Sequence, residues 1–159
     1  MSITKLSNRI DAMNAVHSFI NERIPAMRDY VKQNGYQYKA GTNDLFKKDH
    51  DALNAFLKDA PDGIHTWFNC SLYSGVSVCV KTVYAASGAL DKQGNWGAEY
   101  YERSAYLGEK GKDIPAFEPF PIYDLIEWKA EAAKVPALKE QIEALQSELR
   151  RITYVTEGR

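Results

Sequence analysis

Apolar side chains recur at alternating spacings of three and four residues over the first 31 residues of this chain. Such spacing is the heptad pattern of helices that pack along a seam. One polar side chain, His17, interrupts the otherwise apolar series. We call the series the N-terminal seam, and its members are Ile3, Leu6, Ile10, Met13, His17, Ile20, Ile24, Met27 and Val31.

The same spacing returns near the other end of the chain. This C-terminal seam consists of Val135, Leu138, Ile142, Leu145, Leu149 and Ile152. An isolated coiled coil of so few heptads is marginal in water, so the seam needs either the N-terminal helix or a second copy as its partner. We expect the helices to pack together and an exposed part of a seam to form a homodimer. The predicted self-association residues are Ile10, His17, Leu138, Ile142, Leu145 and Leu149.

One proline interrupts each of the helical segments at the two ends of the chain. Within the N-terminal helix of residues 1–35, Pro25 lacks an amide donor and crowds the carbonyl of Asn21, which predicts a kink or break there. Pro136 similarly interrupts the C-terminal helices of residues 122–155. A second helix is predicted over residues 43–60, beginning at Asn43 as N-cap and ending at the turn signal APDG.

Residues 64–107 change from helical to alternating periodicity and are rich in aromatic and β-branched side chains, which predicts an antiparallel meander of three strands. A three-residue loop ending at Gly75 would pair Leu72 with Val76 and Cys70 with Val78, and would give the sheet one apolar face. That register places Cys70 and Cys79 on opposite faces. The third strand is expected from Trp96 to Leu107.

Residues 108–121 contain glycines, prolines and two phenylalanines, and predict an ordered crossing loop without regular structure. The predicted fold class is therefore α+β: a single domain of residues 1–159, in which N- and C-terminal helices with heptad-like seams pack on a three-stranded antiparallel meander.

Composition narrows the possible functions. The chain has 20 Lys plus Arg and 21 Asp plus Glu, for a formal charge of −1. This net charge is typical neither of a general nucleic-acid binder, which is basic, nor of a DNA mimic, which is strongly acidic. No apolar run approaches the length of a membrane span and no signal-peptide pattern opens the chain, so we expect a cytoplasmic protein without membrane contact. The two cysteines are expected to stay reduced, and no cofactor or metal is predicted.

The three histidines are the candidates for proton chemistry. His17 is either a polar, pH-sensitive member of a helical interface or a core histidine with a satisfied hydrogen bond. His50 lies between two aspartates, but adjacent helical residues point about 100° apart, so converging metal ligands are absent. A hydrolase centred on His50 or His65 remains an alternative hypothesis.

Aromatic side chains are the most unusual feature of the predicted sheet. Tyrosine and tryptophan are enriched at binding hot spots because they bury much area at little entropic cost. The predicted partner-binding residues are Trp67, Tyr73, Trp96, Tyr100, Tyr101 and Arg103.

The leading functional hypothesis is a non-enzymatic, self-associating protein-binding module, an inhibitor or adaptor acting on another macromolecule through this aromatic surface. The alternative is a nucleic-acid or nucleotide binder, in which Trp67, Tyr73 or Tyr101 stacks on bases beside Lys81, Lys92 and Arg103. In general form, a short chain that ends in a heptad helix is similar to small bacteriophage accessory proteins.

Overall fold

The three-stranded antiparallel sheet and the helices of the chain form an α+β fold, as the sequence predicts. The structure is a computed structural model that describes residues 3–39, 41–42, 44–71, 75–85, 99–109 and 113–158. The chain divides into two units. The first is Ser7–Ile122, and the second consists of Met1–Leu6 with Tyr123–Arg159.

The N-terminal segment forms two helices, α1 (Ile3–Asn21) and α2 (Ile24–Asn34). The break falls where Pro25 predicts it, since proline occupies the first turn of α2, where no intrahelical donor is needed. Arg23 stabilises the break, because its guanidinium donates to the carbonyl of Phe19 at 2.8 Å and to the carboxylate of Asp59 at 2.6 Å.

The second helical segment is shorter than predicted. Helix α3 spans Lys47–Asn54, and a series of turns replaces its expected continuation to residue 60. It begins late because the preceding residues are extended, with Leu45 paired to Tyr38 in an isolated bridge. The expected N-cap Asn43 lies outside the described residues.

The meander consists of β1 (Ile64–Ser71), β2 (Gly75–Ala85) and β3 (Glu99–Gly108) in that spatial order. The predicted register was wrong by two residues, since Cys70 pairs with Val76 and Phe68 with Val78. A shift of two preserves the side-chain faces, so the apolar face survives and Cys70 and Cys79 lie on opposite faces as expected, both as free cysteines.

One face of the sheet, which we call the inner face, lies in the hydrophobic core with α1 and α2. The core joins side chains from helices and strands, including Val16, Ile20, Met27, Val31, Leu53, Phe68, Val76, Val78, Val80, Ala105 and Leu107. The apolar face of the N-terminal seam thus packs in one core with the apolar face of the strands. This packing leaves the other face, the outer face, as a separate surface.

The segment after the sheet, residues 113–122, forms neither helix nor strand and is held by polar side chains of α1 and α2. Asn21 binds both backbone groups of Phe120, donating to its carbonyl at 2.9 Å and accepting from its amide at 2.7 Å. Arg28 donates to the carbonyls of Tyr106 and Pro115. We call residues 113–122 the strap, and its bonds explain how a proline-rich segment is ordered without regular structure.

The second unit contains two helices after the strap, α4 (Leu125–Ala132) and α5 (Val135–Glu157). Asp124 caps α4 by accepting from the amides of Ile126 and Glu127. The break between the helices comes just before Pro136, as predicted. No residue of either helix is buried. Among the described residues, no helix is long and apolar enough to cross a membrane.

Candidate functional site

The outer face of the sheet carries a cluster of Trp67, Lys81 and Tyr100. Trp67 lies on β1, Lys81 on the central strand and Tyr100 on β3. The Lys81 ammonium lies 5.8 Å from the centre of the Trp67 ring and 5.1 Å from the centre of the Tyr100 ring. Both distances are within the range of a cation–π contact. We call these three residues the outer-face cluster.

Strand register explains why these residues meet. Trp67 pairs with Cys79 and Tyr100 with Val83, which are the residues two before and two after Lys81 on β2. Residues two apart on a strand share a face, so the two rings flank the lysine diagonally. Tyr100 remains 44% exposed, and the cluster therefore presents aromatic surface and a positive charge together.

Polar side chains continue this surface across the sheet. His65 and Glu102 are the direct cross-strand neighbours of Lys81, and both are exposed. A carboxylate beside the lysine offsets its charge, so the outer face is amphipathic rather than strongly basic.

Cys79 is the buried member of the outer face. Its thiol lies 3.4 Å from the side-chain amide nitrogen of Asn69 and 3.5 Å from the hydroxyl of Ser104. Burial raises the pKa of this thiol, and it likewise raises the pKa of Cys70. Both cysteines are therefore weak nucleophiles near neutral pH.

The predicted partner-binding residues divide between the two faces. Trp67 and Tyr100 lie on the outer face as required, whereas Tyr101 and Arg103 belong to the inner face, because residues alternate along β3. Tyr101 is buried, and the Arg103 guanidinium stacks 4.5 Å from the ring centre of Phe120 in the strap. The four described residues of this set therefore do not share one face of the sheet. Tyr73, Trp96 and Lys92 lie outside the described residues.

His17 is a core residue with both ring nitrogens bonded. Its Nδ1 lies 2.6 Å from the carbonyl oxygen of Pro121, and its Nε2 lies 2.6 Å from the hydroxyl of Tyr101. A carbonyl only accepts, so Nδ1 carries the proton in the neutral ring and Nε2 accepts from Tyr101. Desolvation by burial lowers the pKa of His17, and the nearby charge of Arg103 lowers it further, while the bond to Pro121 opposes both.

Stability is therefore expected to fall as the pH drops below about 6.5, the ordinary histidine value, because the unfolded chain takes up a proton that buried His17 resists. Substituting His17→Gln removes this titration and should flatten the decline in unfolding free energy between neutral and mildly acidic pH. It should also cost about 1–3 kcal/mol at neutral pH, since a buried hydrogen bond is lost.

Urea unfolding at several pH values measures both effects. His65→Gln is the matched control, since it removes an exposed imidazole and should keep the acid sensitivity of the wild type. An equal slope in wild type and His17→Gln would show that His17 does not cause the acid sensitivity.

The predicted self-association residues also divide. Ile10 and His17 are both buried, at 5% and 2% exposure, so neither side chain forms an exposed surface. The C-terminal seam is exposed throughout, from 42% at Val135 to 65% at Leu145 and Leu149. The remaining members of that seam are Leu138, Ile142 and Ile152, at 50%, 53% and 44%.

The other two histidines lie on different elements, His50 on α3 and His65 on β1. His50 packs edge-on against Phe68 of β1, with ring centres 5.6 Å apart. His65 is exposed on the outer face beside Lys81. Within the described part of the chain, no group of three or more His, Cys, Asp or Glu side chains is placed to hold a metal ion.

Asp49 is a buried polar residue that the sequence does not identify. Its carboxylate accepts from the Tyr30 hydroxyl at 3.1 Å and from the Gln37 amide at 2.7 Å. Burial and the bond to Asp49 raise the pKa of Tyr30. The carboxylate thereby joins α2, α3 and their connection, which is a structural role. Asp49 lies in a charged run of lysines and aspartates, and no sequence signal distinguishes it from its exposed neighbours.

A cleft of about 370 Å³ lies between α2 and the strap. Arg28, Lys32 and Asp113 contribute to its walls. Arg28 is held by two backbone carbonyls, and Lys32 pairs with Asp113 at 2.7 Å. Since these cations already bind the strap, the cleft reflects how the strap is attached.

Comparison with known proteins identifies no relative. No protein-family model, no curated protein sequence and no solved structure significantly matches this chain.

Proposed function

We propose that this protein is a non-enzymatic, self-associating binding module that acts as an inhibitor or adaptor of another macromolecule. In this proposal, α5 joins copies of the chain, and the outer face of the sheet contacts the partner. A role of this kind accords with the general resemblance to small bacteriophage accessory proteins.

The observation that carries the proposal is the exposure of the complete C-terminal seam. A helix of 23 residues is about 35 Å long, and this one presents a continuous apolar stripe with none of its residues buried. Amphipathic helices derive most of their stability from packing the apolar stripe, so a partner that covers this stripe is expected to stabilise α5. A large exposed apolar surface of this type is typical of an interaction site.

Dilution tests this proposal. If α5 is stabilised by a second copy, its helix should melt as the protein is diluted below the dissociation constant of the dimer. Far-UV circular dichroism should then show a loss of helical signal per residue on dilution, reversed on concentration. A helical signal that stays constant on dilution, together with a monomeric mass throughout, would contradict self-association.

The outer-face cluster supplies the proposed partner surface. It combines two ring systems, which bury large area at low entropic cost, with a lysine whose charge is already oriented by those rings. Its flanks are polar, as expected for the rim of a transient protein interface. A protein partner is therefore the occupant that we propose for this face.

A nucleic-acid partner is the second candidate, and the same cluster favours it. Aromatic rings on neighbouring strands of an exposed sheet can stack on the bases of a single strand, and a lysine between them can contact the phosphates. Single-stranded DNA or RNA should then quench Trp67 fluorescence at low salt, and the affinity should fall as salt increases.

The variant Trp67→Ala tests this second candidate. Loss of one stacking platform should weaken binding by about 1–3 kcal/mol, or roughly 5- to 150-fold. His65→Ala on the same strand is the control and should weaken it much less. Absence of binding by the wild type at low salt would exclude nucleic acid and leave the protein partner.

A further inference from the structure

The C-terminal seam can be divided into the two core positions of a heptad. With Val135 at position a, the a positions are Val135, Ile142 and Leu149, and the d positions are Leu138, Leu145 and Ile152. Every one of these six side chains is at least 42% exposed. The six residues thus have the spacing of a coiled-coil core within one continuous helix, and all of them are exposed.

We propose that the occupant of this seam is the seam of a second copy in the antiparallel direction, so that two α5 helices form a two-stranded coiled coil. The proposal rests on the self-association proposed above and specifies the number of strands and their orientation.

The distribution of branched side chains argues against the parallel arrangement. In a parallel pair, a faces a and d faces d, and two strands are favoured by β-branched residues at a with leucine at d. The first two heptads satisfy this rule. The third reverses it, with Leu149 at a and Ile152 at d, a combination that favours higher oligomers.

The antiparallel arrangement removes this conflict because each a position faces a d position. Val135 then faces the partner's Ile152, Leu138 faces the partner's Leu149, and Ile142 faces the partner's Leu145. The order of side chains along the seam is almost the same in both directions, so each layer contains side chains of similar size. A pair of β-branched side chains lies at each end of the interface. This self-complementarity is what an isologous twofold interface requires.

The residues that flank the seam agree with this orientation. A parallel pair would bring Lys134, which directly precedes α5 and pairs with Glu131 at 3.0 Å, beside the partner's Lys139, so a second lysine would be added to an existing ion pair. An antiparallel pair instead places Lys139 beside the partner's Gln146, and Gln141 beside the partner's Glu148. Neither of these pairs is repulsive.

A functional consequence follows from the chain direction. The two chains enter an antiparallel pair of helices at opposite ends, about 35 Å apart for a helix of this length. The proposed assembly therefore separates the two attachment points instead of bringing them together.

Cysteine cross-linking in the full-length chain distinguishes the orientations. Leu138→Cys and Leu149→Cys are prepared separately, each is oxidised alone, and the two are then oxidised as an equimolar mixture. The antiparallel pair predicts little disulfide dimer from either variant alone and abundant dimer containing one chain of each kind from the mixture. Glu140→Cys, on the opposite side of the helix, controls for random collision, and wild type controls for the buried Cys70 and Cys79.

The results distinguish antiparallel pairing of α5 from self-association in general. Efficient disulfide formation by each variant alone would show a parallel pair and overturn the antiparallel inference while self-association stands. A sedimentation mass above that of a dimer would overturn the two-stranded inference. Monomeric sedimentation of wild type, without cross-linking in any mixture, would overturn both.

Discussion

Replacing Leu145 with glutamate is expected to abolish the proposed self-association. Leu145 is 65% exposed in the single chain and lies at the middle of the C-terminal seam. Association would transfer the new carboxylate into an apolar interface without a partner for its charge, at a cost of several kcal/mol. The dissociation constant should therefore rise by about 100-fold or more, since each 1.4 kcal/mol corresponds to about a factor of 10.

Sedimentation velocity at matched concentrations measures this change. Ser147→Glu is the control, because Ser147 is exposed on the same helix but lies outside the seam. That variant adds the same charge and should associate as the wild type does. If Leu145→Glu associates as tightly as Ser147→Glu, the seam is not the interface.

Replacing Gly75 with alanine is expected to give the largest loss of folding stability among single-methyl additions to the sheet. Gly75 begins β2 with φ of +67°, where an L side chain is strained. Its added Cβ would also lie 2.7 Å from the Tyr106 ring and 2.9 Å from the carbonyl oxygen of Gly108. Backbone strain of about 1–2 kcal/mol and an overpacking cost of about 1–3 kcal/mol should together remove several kcal/mol.

Gly41→Ala provides the matched control. Gly41 also has a positive φ, +79°, but a Cβ there would meet no heavy atom within 4 Å. The control therefore carries the strain without the clash, and the difference between the two variants isolates the close approach of β2 to β3. Chemical denaturation measures both free energies of unfolding, and equal losses would contradict the packing described here.

Local periodicity was enough to predict α1, α2, β1 and β2, because each of these elements buries one face. The N-terminal seam, its break at Pro25 and the alternation of β1 and β2 all follow from which side chains must leave water. The apolar pattern does not predict the register of the β1–β2 hairpin. Registers that differ by two residues bury the same face, so the apolar pattern cannot separate the pairing of Cys70 with Val76 from its pairing with Val78.

The candidate site was only partly predictable for a similar reason. Sequence alone favoured the aromatic residues of the sheet, but Tyr100 and Tyr101 are adjacent, and tertiary packing decides which of the two faces the helices. His17 was recognised as the polar member of its seam. Its bonds to Tyr101 and Pro121 join residues 84 and 104 positions away, and no local pattern encodes them.

Exposure was the decisive observation for the two helical seams. Their spacing is the same in sequence, yet Ile20 and Val31 of the N-terminal seam are fully buried while all six members of the C-terminal seam remain exposed. The heptad pattern predicts a packing partner for each seam, and the exposure of the residues distinguishes the C-terminal seam from the N-terminal seam.

Sedimentation equilibrium of the intact wild-type protein tests the central claim that the C-terminal seam joins two chains. At about 100 µM, where a dimer with a micromolar dissociation constant is almost fully assembled, we predict a mass twice that of the 18.0 kDa chain. A single species of 18.0 kDa at that concentration would contradict the claim.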